Sequence, residues 1–323
     1  MNFKTIGKTD KVEGFALIKK VEVKTSTKGS KYLDLLLGDK SGEIVAKYWD
    51  YEDGITPNFE PNTIVKVRGQ LNEFKGATQL RVELIRSAVP TDNVNTNDYI
   101  KSSEYNAEEM FEKICNTVRA FGDEDLKKLT LTLYDENREK LLYFPAAVKL
   151  HHAMRGGLLY HTLSIIEVAQ KVCCVYPAVD KDLLIAGAAL HDIGKTVEMQ
   201  ANDLGIATEY STDGNLVGHL VRGAMMVRTC GDKLGLPDEK IRLVEHMLLS
   251  HHGSPEFGSP VRPMFLEAMV LSTLDELDAK IYEVSDVTTQ TEPCTFSPRQ
   301  WALNDVKLYN HGRKDVQTGA KLF

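Results

Sequence analysis

LLIAGAALHDIGK, residues 183–195, is the stretch from which the rest of the chain is best read. Its first eight residues are uncharged and apolar on every side, which predicts a helix buried all round. The run ends on His191 and Asp192, just before Gly194. An imidazole and a carboxylate at the end of such a helix need partners, because a desolvated and unpaired carboxylate is costly. A divalent cation answers both needs, since it takes nitrogen from a neutral imidazole as well as carboxylate oxygen. The two oxygens of Asp192 point apart, so this side chain could bridge two ions.

Working outward, eight of the nine histidines lie between His151 and His252, several at the ends of apolar helical segments. Histidines that merely pack a core are not expected to cluster in this way. Residues 107–121, 157–176, 181–195, 216–230, 239–252 and 263–281 all carry apolar residues at helical spacing, and the second part of the chain is read as all-α. The alternating GIATEYSTDGN, residues 205–215, predicts a short hairpin between helices. His246 precedes His251 by five residues, about 140° around a helix, so it should pack rather than share that face. His151 and His152 could rim the site or simply pack. Asp278, one turn after Asp275, could pair with Lys280 or replace Asp275 as a ligand.

The first part reads differently. GFALIKKVEVKT (14–25), KYLDLLLGD (31–39), EIVAKYW (43–49), TIVKVRGQLNEF (63–74) and ATQLRVELIRSA (77–88) are short alternating runs separated by turn residues, the pattern of a small five-stranded barrel. The expected organisation is a barrel over residues 1–90, a Thr-, Asn- and Asp-rich linker over 91–101, a helical domain over 102–310 and a mildly basic tail over 311–323. Net charge is -7, but residues 1–89 hold 15 Lys and Arg against 12 Asp and Glu, leaving 24 against 34 for the remainder. The acidity therefore belongs to the helical part, and the barrel stays compatible with a polyanionic partner. The five cysteines form no CxxC pair, and an odd number fits a reducing compartment. They are read as structural. No signal-peptide core and no run of about 20 apolar residues is evident, so a cytoplasmic protein with no membrane partner is expected.

Two resemblances follow from these motifs. KYLDLLLGDKSGEIVAKYWD, with its DxxG turn and a long connection before the fourth strand, resembles the OB-fold in its tRNA-anticodon-type branch. That implies a single-strand-binding face, with Lys24, Lys28, Lys31, Tyr32, Lys47, Trp49, Arg68, Phe74 and Lys75 as candidate contacts. GGLLYHT, HDIGK and LSTLDELDAK together resemble the HD superfamily of metal-dependent phosphohydrolases over about residues 145–285. The resemblance implies His161, His191, Asp192 and Asp275 as ligands of a first metal. It implies His219, His251 and His252 for a second, with Asp192 bridging. Lys195 resembles the family's phosphate-contacting lysine; a cation at a helix C-terminus is the alternative account of it.

The two halves together are similar to the YhaM-type 3'-to-5' exoribonucleases. That family implies hydrolysis of single-stranded RNA, and of single-stranded DNA as a second substrate, to nucleoside monophosphates. It also implies Mn²⁺ as cofactor, with Fe, Co or Mg as alternatives and one or two ions, and a homo-oligomer. Two other functions remain in play: hydrolysis of a small nucleotide or cyclic dinucleotide, and nucleic-acid binding without catalysis.

Overall fold

Leu33, Leu35 and Leu37 are buried in alternation with more exposed neighbours, and so are Ile44 and Ala46. That period of two builds the first unit. The computed structural model describes residues 11–39, 42–74, 77–95, 98–100, 102–148, 152–202 and 204–323. Lys75 and His151 fall outside them. The chain divides into two compact units, residues 1–102 and 103–323.

In the first unit, strands β1 (Lys11–Thr25), β2 (Lys31–Asp39), β3 (Gly42–Tyr48), β4 (Ile64–Phe74) and β5 (Ala77–Ser87) close into a barrel of order β1-β2-β3-β5-β4. The long β1 pairs with β4 through its first half and with β2 through its second, with a bulge at Ile18–Lys20. β3 and β5 run parallel, and the remaining pairs are antiparallel. This is the OB-fold topology. Ala16, Ile18, Leu35, Leu37, Val65, Val67, Leu80 and Val82 fill the interior. Gly69 sits at the β4–β5 bulge, where a Cβ would lie 2.2 Å from the Arg81 carbonyl oxygen, so only glycine lets the strands approach this closely.

The second unit is helical: α1 (Ala107–Arg119), α2 (Glu124–Leu141), α3 (Gly157–Val175), α4 (Lys181–Leu190), α5 (Lys195–Glu198), α6 (Thr212–Leu216), α7 (Gly218–Leu234), α8 (Asp238–Ser250) and α9 (Leu266–Thr289). The short hairpins β6 (Met199–Ala201) with β7 (Ala207–Tyr210), and β8 (Thr295–Phe296) with β9 (Tyr309–Asn310), complete it. Asn106, Asp123 and Asp180 cap α1, α2 and α4 by accepting backbone N–H bonds. As the LLIAGAAL run predicts, α4 is buried all round, packed by α1, α2, α3, α8 and α9. Its C-terminal end, where His191 and Asp192 stand, is thereby delivered to the middle of the bundle.

Two segments bear on the sequence reading. α3 is 19 residues long and apolar enough by composition to cross a membrane, but Leu158, Leu159, Leu163, Ile165 and Ile166 are all buried in the helical core. Residues 311–323 are not a free tail. Leu322 is buried, and Tyr105 Oη donates to the Ala320 carbonyl at 3.2 Å. Apolar Ala320 and Leu322, rather than the basic residues before them, decide where the segment goes.

Candidate metal centre

The histidines and carboxylates picked out by the sequence converge on Asp192. His161 stands in the first turns of α3, His191 follows the last turn of α4, His219 opens α7, His251 follows α8, and Asp275 lies on α9. His191 Nε2 and His161 Nε2 are 3.3 and 3.7 Å from Asp192 Oδ2. His219 Nε2 and His251 Nε2 are 3.5 and 3.7 Å from Asp192 Oδ1. Asp275 Oδ1 lies 3.0 Å from His161 Nε2 and 3.9 Å from His191 Nε2. His252 joins His219 and His251, with ligand atoms of all three within 4.8 Å of one another. Two donor groups thus share one carboxylate, an oxygen to each.

The donor atoms look inward because the other ring nitrogens are engaged. Nδ1 of His191, His251 and His252 contacts the carbonyls of Ala188, Leu248 and Phe257 at 2.8, 2.8 and 3.1 Å. His219 Nδ1 donates to Glu198 Oε1 at 2.8 Å, and His161 Nδ1 to Asp278 Oδ2 at 2.7 Å. Each acceptor holds its ring with Nδ1 turned outward and Nε2 turned toward Asp192. His219 Nε2, His251 Nε2 and both Asp192 oxygens are buried without a well-directed hydrogen bond. A cluster of buried imidazole nitrogens and carboxylate oxygens of this kind is what a divalent cation fits.

Electrostatics agree. Burial would raise the Asp192 carboxyl, but Lys195 and the imidazoles of His191 and His219 outweigh it and hold it ionised. Burial, reinforced by neighbouring imidazoles, keeps His251 and His252 neutral, the form that can ligate. At His161 burial opposes the charged form, yet hydrogen bonds to Asp275 and Asp278 lift its pKa to about 10. A cation bound at its Nε2 would compete with a proton there.

Several sequence alternatives resolve here. Asp278 neither pairs with Lys280, which reaches Glu276 instead, nor faces the cluster: it stands behind His161. His152 is not at a rim; it is buried and contacts the same Asp278 oxygen at 2.9 Å. His246 accepts from the Met264 amide at 3.1 Å and packs on Phe265, away from the centre. Lys195 is the first residue of the single-turn α5. It is buried, with Nζ 2.7 Å from Asp192 Oδ2. Sequence reasoning missed Glu198; the only local signal is its place one turn after Lys195.

On the barrel, Tyr32, Lys47, Trp49 and Phe74 line one groove of about 440 Å³ with Thr25, Asn72, Gln79 and Arg81. The Tyr32 and Trp49 rings stack at 4.4 Å, with Lys47 Nζ 5.0 Å from the Tyr32 centroid. Trp49 and Phe74 are 41% and 57% exposed, too open for core residues. Lys24 and Lys47 both pair with Asp34, and Lys31 pairs with Asp53. Lys28 is exposed in the turn before β2. Arg68 lies elsewhere, in a separate concavity with Lys66 and Arg86.

Residues 158–280 match the HD domain family. A 3'-5' exoribonuclease YhaM of Listeria welshimeri is 36% identical over 305 residues, covering 94% of this chain and 96% of its own. This chain belongs to the YhaM family. A second YhaM, from Listeria monocytogenes, is 34% identical with the same coverage. Among solved structures, the HD domain of L. monocytogenes phosphodiesterase PgpH aligns with 47% of this YhaM-family chain and 77% of its own, at 14% identity and a TM-score of 0.31.

Proposed function

We propose that this YhaM-family chain is a metal-dependent 3'-to-5' exoribonuclease that hydrolyses single-stranded RNA to nucleoside monophosphates. The observation that carries the reading is Asp192, buried and shared between two sets of imidazole donors. His161, His191, Asp192 and Asp275 would hold one ion, and Asp192, His219, His251 and His252 the other. The mixed imidazole and carboxylate set suits Mn²⁺ better than Mg²⁺, which favours an oxygen shell. Bound divalent ions supply an activated water and stabilise charge on the phosphodiester oxygens.

The chain's own groups do the rest. Neutral His251 and His252 keep their lone pairs for ligation, and Asp192 holds its two oxygens to opposite sides. Lys195, already charged and close to Asp192, can turn its ammonium to a phosphoryl oxygen, where a buried cation stabilises developing negative charge. In the barrel groove, Trp49 and Phe74 offer faces on which bases stack, and Lys47 and Arg81 offer cations to the backbone. We assign single-stranded nucleic acid to this groove, with Arg68 outside it. Asp192→Ala is the test: Mn²⁺-dependent hydrolysis should vanish while single-strand binding persists. Surviving hydrolysis would remove the bridging role.

A further inference from the structure

The five ring nitrogens that face away from the centre find two kinds of acceptor, and helix geometry explains the division. His191 and His251 follow the C-terminal turns of α4 and α8, where the last carbonyls have no partner within the helix. Each imidazole therefore donates to the carbonyl three residues back, Ala188 or Leu248. His252, one residue further along, donates to a loop carbonyl. His161 and His219 stand at the opposite ends of their helices, in the first turns of α3 and α7. A helix N-terminus exposes N–H groups and offers no spare carbonyl. Their Nδ1 protons must find an acceptor on another element.

In both cases that acceptor is a largely buried carboxylate. Asp278 of α9 takes His161 Nδ1 on Oδ2 at 2.7 Å, and its other oxygen is held by the Ser164 hydroxyl. Glu198 of α5 takes His219 Nδ1 on Oε1 at 2.8 Å and the His219 backbone N–H at 3.0 Å on the same oxygen. It thus caps α7, whose N-cap residue Val217 supplies no side-chain bond. The two backed histidines also divide the centre evenly. His161 faces Asp192 Oδ2 and His219 faces Asp192 Oδ1.

We propose that Asp278 and Glu198 are positioning residues, one for each half of the centre: Asp278 orients His161 toward the first ion, and Glu198 orients His219 toward the second. This rests on the two-ion reading above. A carboxylate behind a metal-binding imidazole holds the ring in place and increases its basicity, and losing it typically weakens metal binding 10- to 100-fold. Because the carboxylates serve different rings, each loss should be felt at one ion only.

The test is Mn²⁺ binding to the full-length protein without RNA, followed by calorimetry and by metal content after desalting. Asp278→Asn and Glu198→Gln keep the side-chain shape. Each should weaken one of two binding events by about 10- to 100-fold and leave the other within about two-fold. Asp278→Asn added to His161→Ala should weaken binding no further, whereas added to His219→Ala it should impair both ions. Ser164→Ala, which removes a donor to Asp278 without touching a ligand, should weaken the same event as Asp278→Asn by a smaller factor, and it serves if Asp278→Asn fails to fold. Wild-type affinity in both carboxamide variants, or loss of the same ion in both, overturns the proposal while leaving the metal centre intact. Wild-type protein that takes up no Mn²⁺ overturns the centre and the proposal together.

Discussion

Gly194 offers a sharp test of how the fold positions the centre. Its φ of -61° is ordinary helical backbone, so alanine there incurs no conformational strain. The obstacle is space. A Cβ would lie 2.1 Å from the His219 carbonyl oxygen and 2.8 Å from the Gly223 amide, about 1.3 and 0.6 Å short of the 3.4 Å at which ordinary contact begins. Both obstacles are backbone atoms of α7, so no side-chain rotation relieves them. Gly194→Ala must push the start of α7 away from Asp192, and His219 travels with it. Overpacking of this kind costs about 1–3 kcal/mol, or about 2–4 °C of melting temperature per kcal/mol in a domain of this size. The expected outcome in a thermal melt with parallel Mn²⁺ titration is a lower melting temperature and weaker binding of the ion assigned to His219, with the ion assigned to His161 retained. An alanine variant that melts and binds Mn²⁺ like the wild type would refute the close packing of α7 on the HDIGK turn.

Further predictions concern the groove, the lysine and the thiols. Trp49→Ala should weaken single-stranded RNA binding by the ~1–3 kcal/mol of one stacked base, roughly 5- to 150-fold, while Arg68→Ala leaves groove binding nearly unchanged; fluorescence anisotropy measures both. Lys195→Gln should lower kcat by about 10²- to 10³-fold with Mn²⁺ content unchanged, and full activity would remove its phosphate role. Burial pushes the Cys115 thiol up to about 11 and Cys230 is buried as well, whereas Cys174 and Cys294 are exposed. At pH 8 a disulfide reagent should therefore label Cys174 and Cys294 quickly and reach Cys115 and Cys230 only after denaturation.

Sequence reading succeeded where a period or a motif is local. Alternation through Leu33, Leu35 and Leu37 marks β2, and the all-apolar run before His191 marks the buried α4. α2 is not evident, because Leu129-Thr-Leu-Thr-Leu133 alternates like a strand; the helix is decided by Leu126, Leu129, Leu133 and Leu141 packing in the core. The candidate ligand histidines are legible as residues at the ends of apolar segments, but what aims them is not. Asp278 lies 117 positions from His161, and the carbonyls behind His191 and His251 belong to no residue type. The groove follows the same rule. Trp49 and Phe74 stand out as aromatics, whereas Asn72 and Gln79 become neighbours only through the β4–β5 register. Arg68 looks identical to a groove cation until strand geometry turns it elsewhere.

The central claim is tested most directly by incubating the full-length protein with 5'-labelled single-stranded RNA and Mn²⁺, beside an EDTA control, and resolving the products on a sequencing gel. A ladder that shortens stepwise from the 3' end with Mn²⁺ and is absent with EDTA is the predicted result. RNA that stays intact with Mn²⁺ bound, or that is cut equally in EDTA, would contradict it.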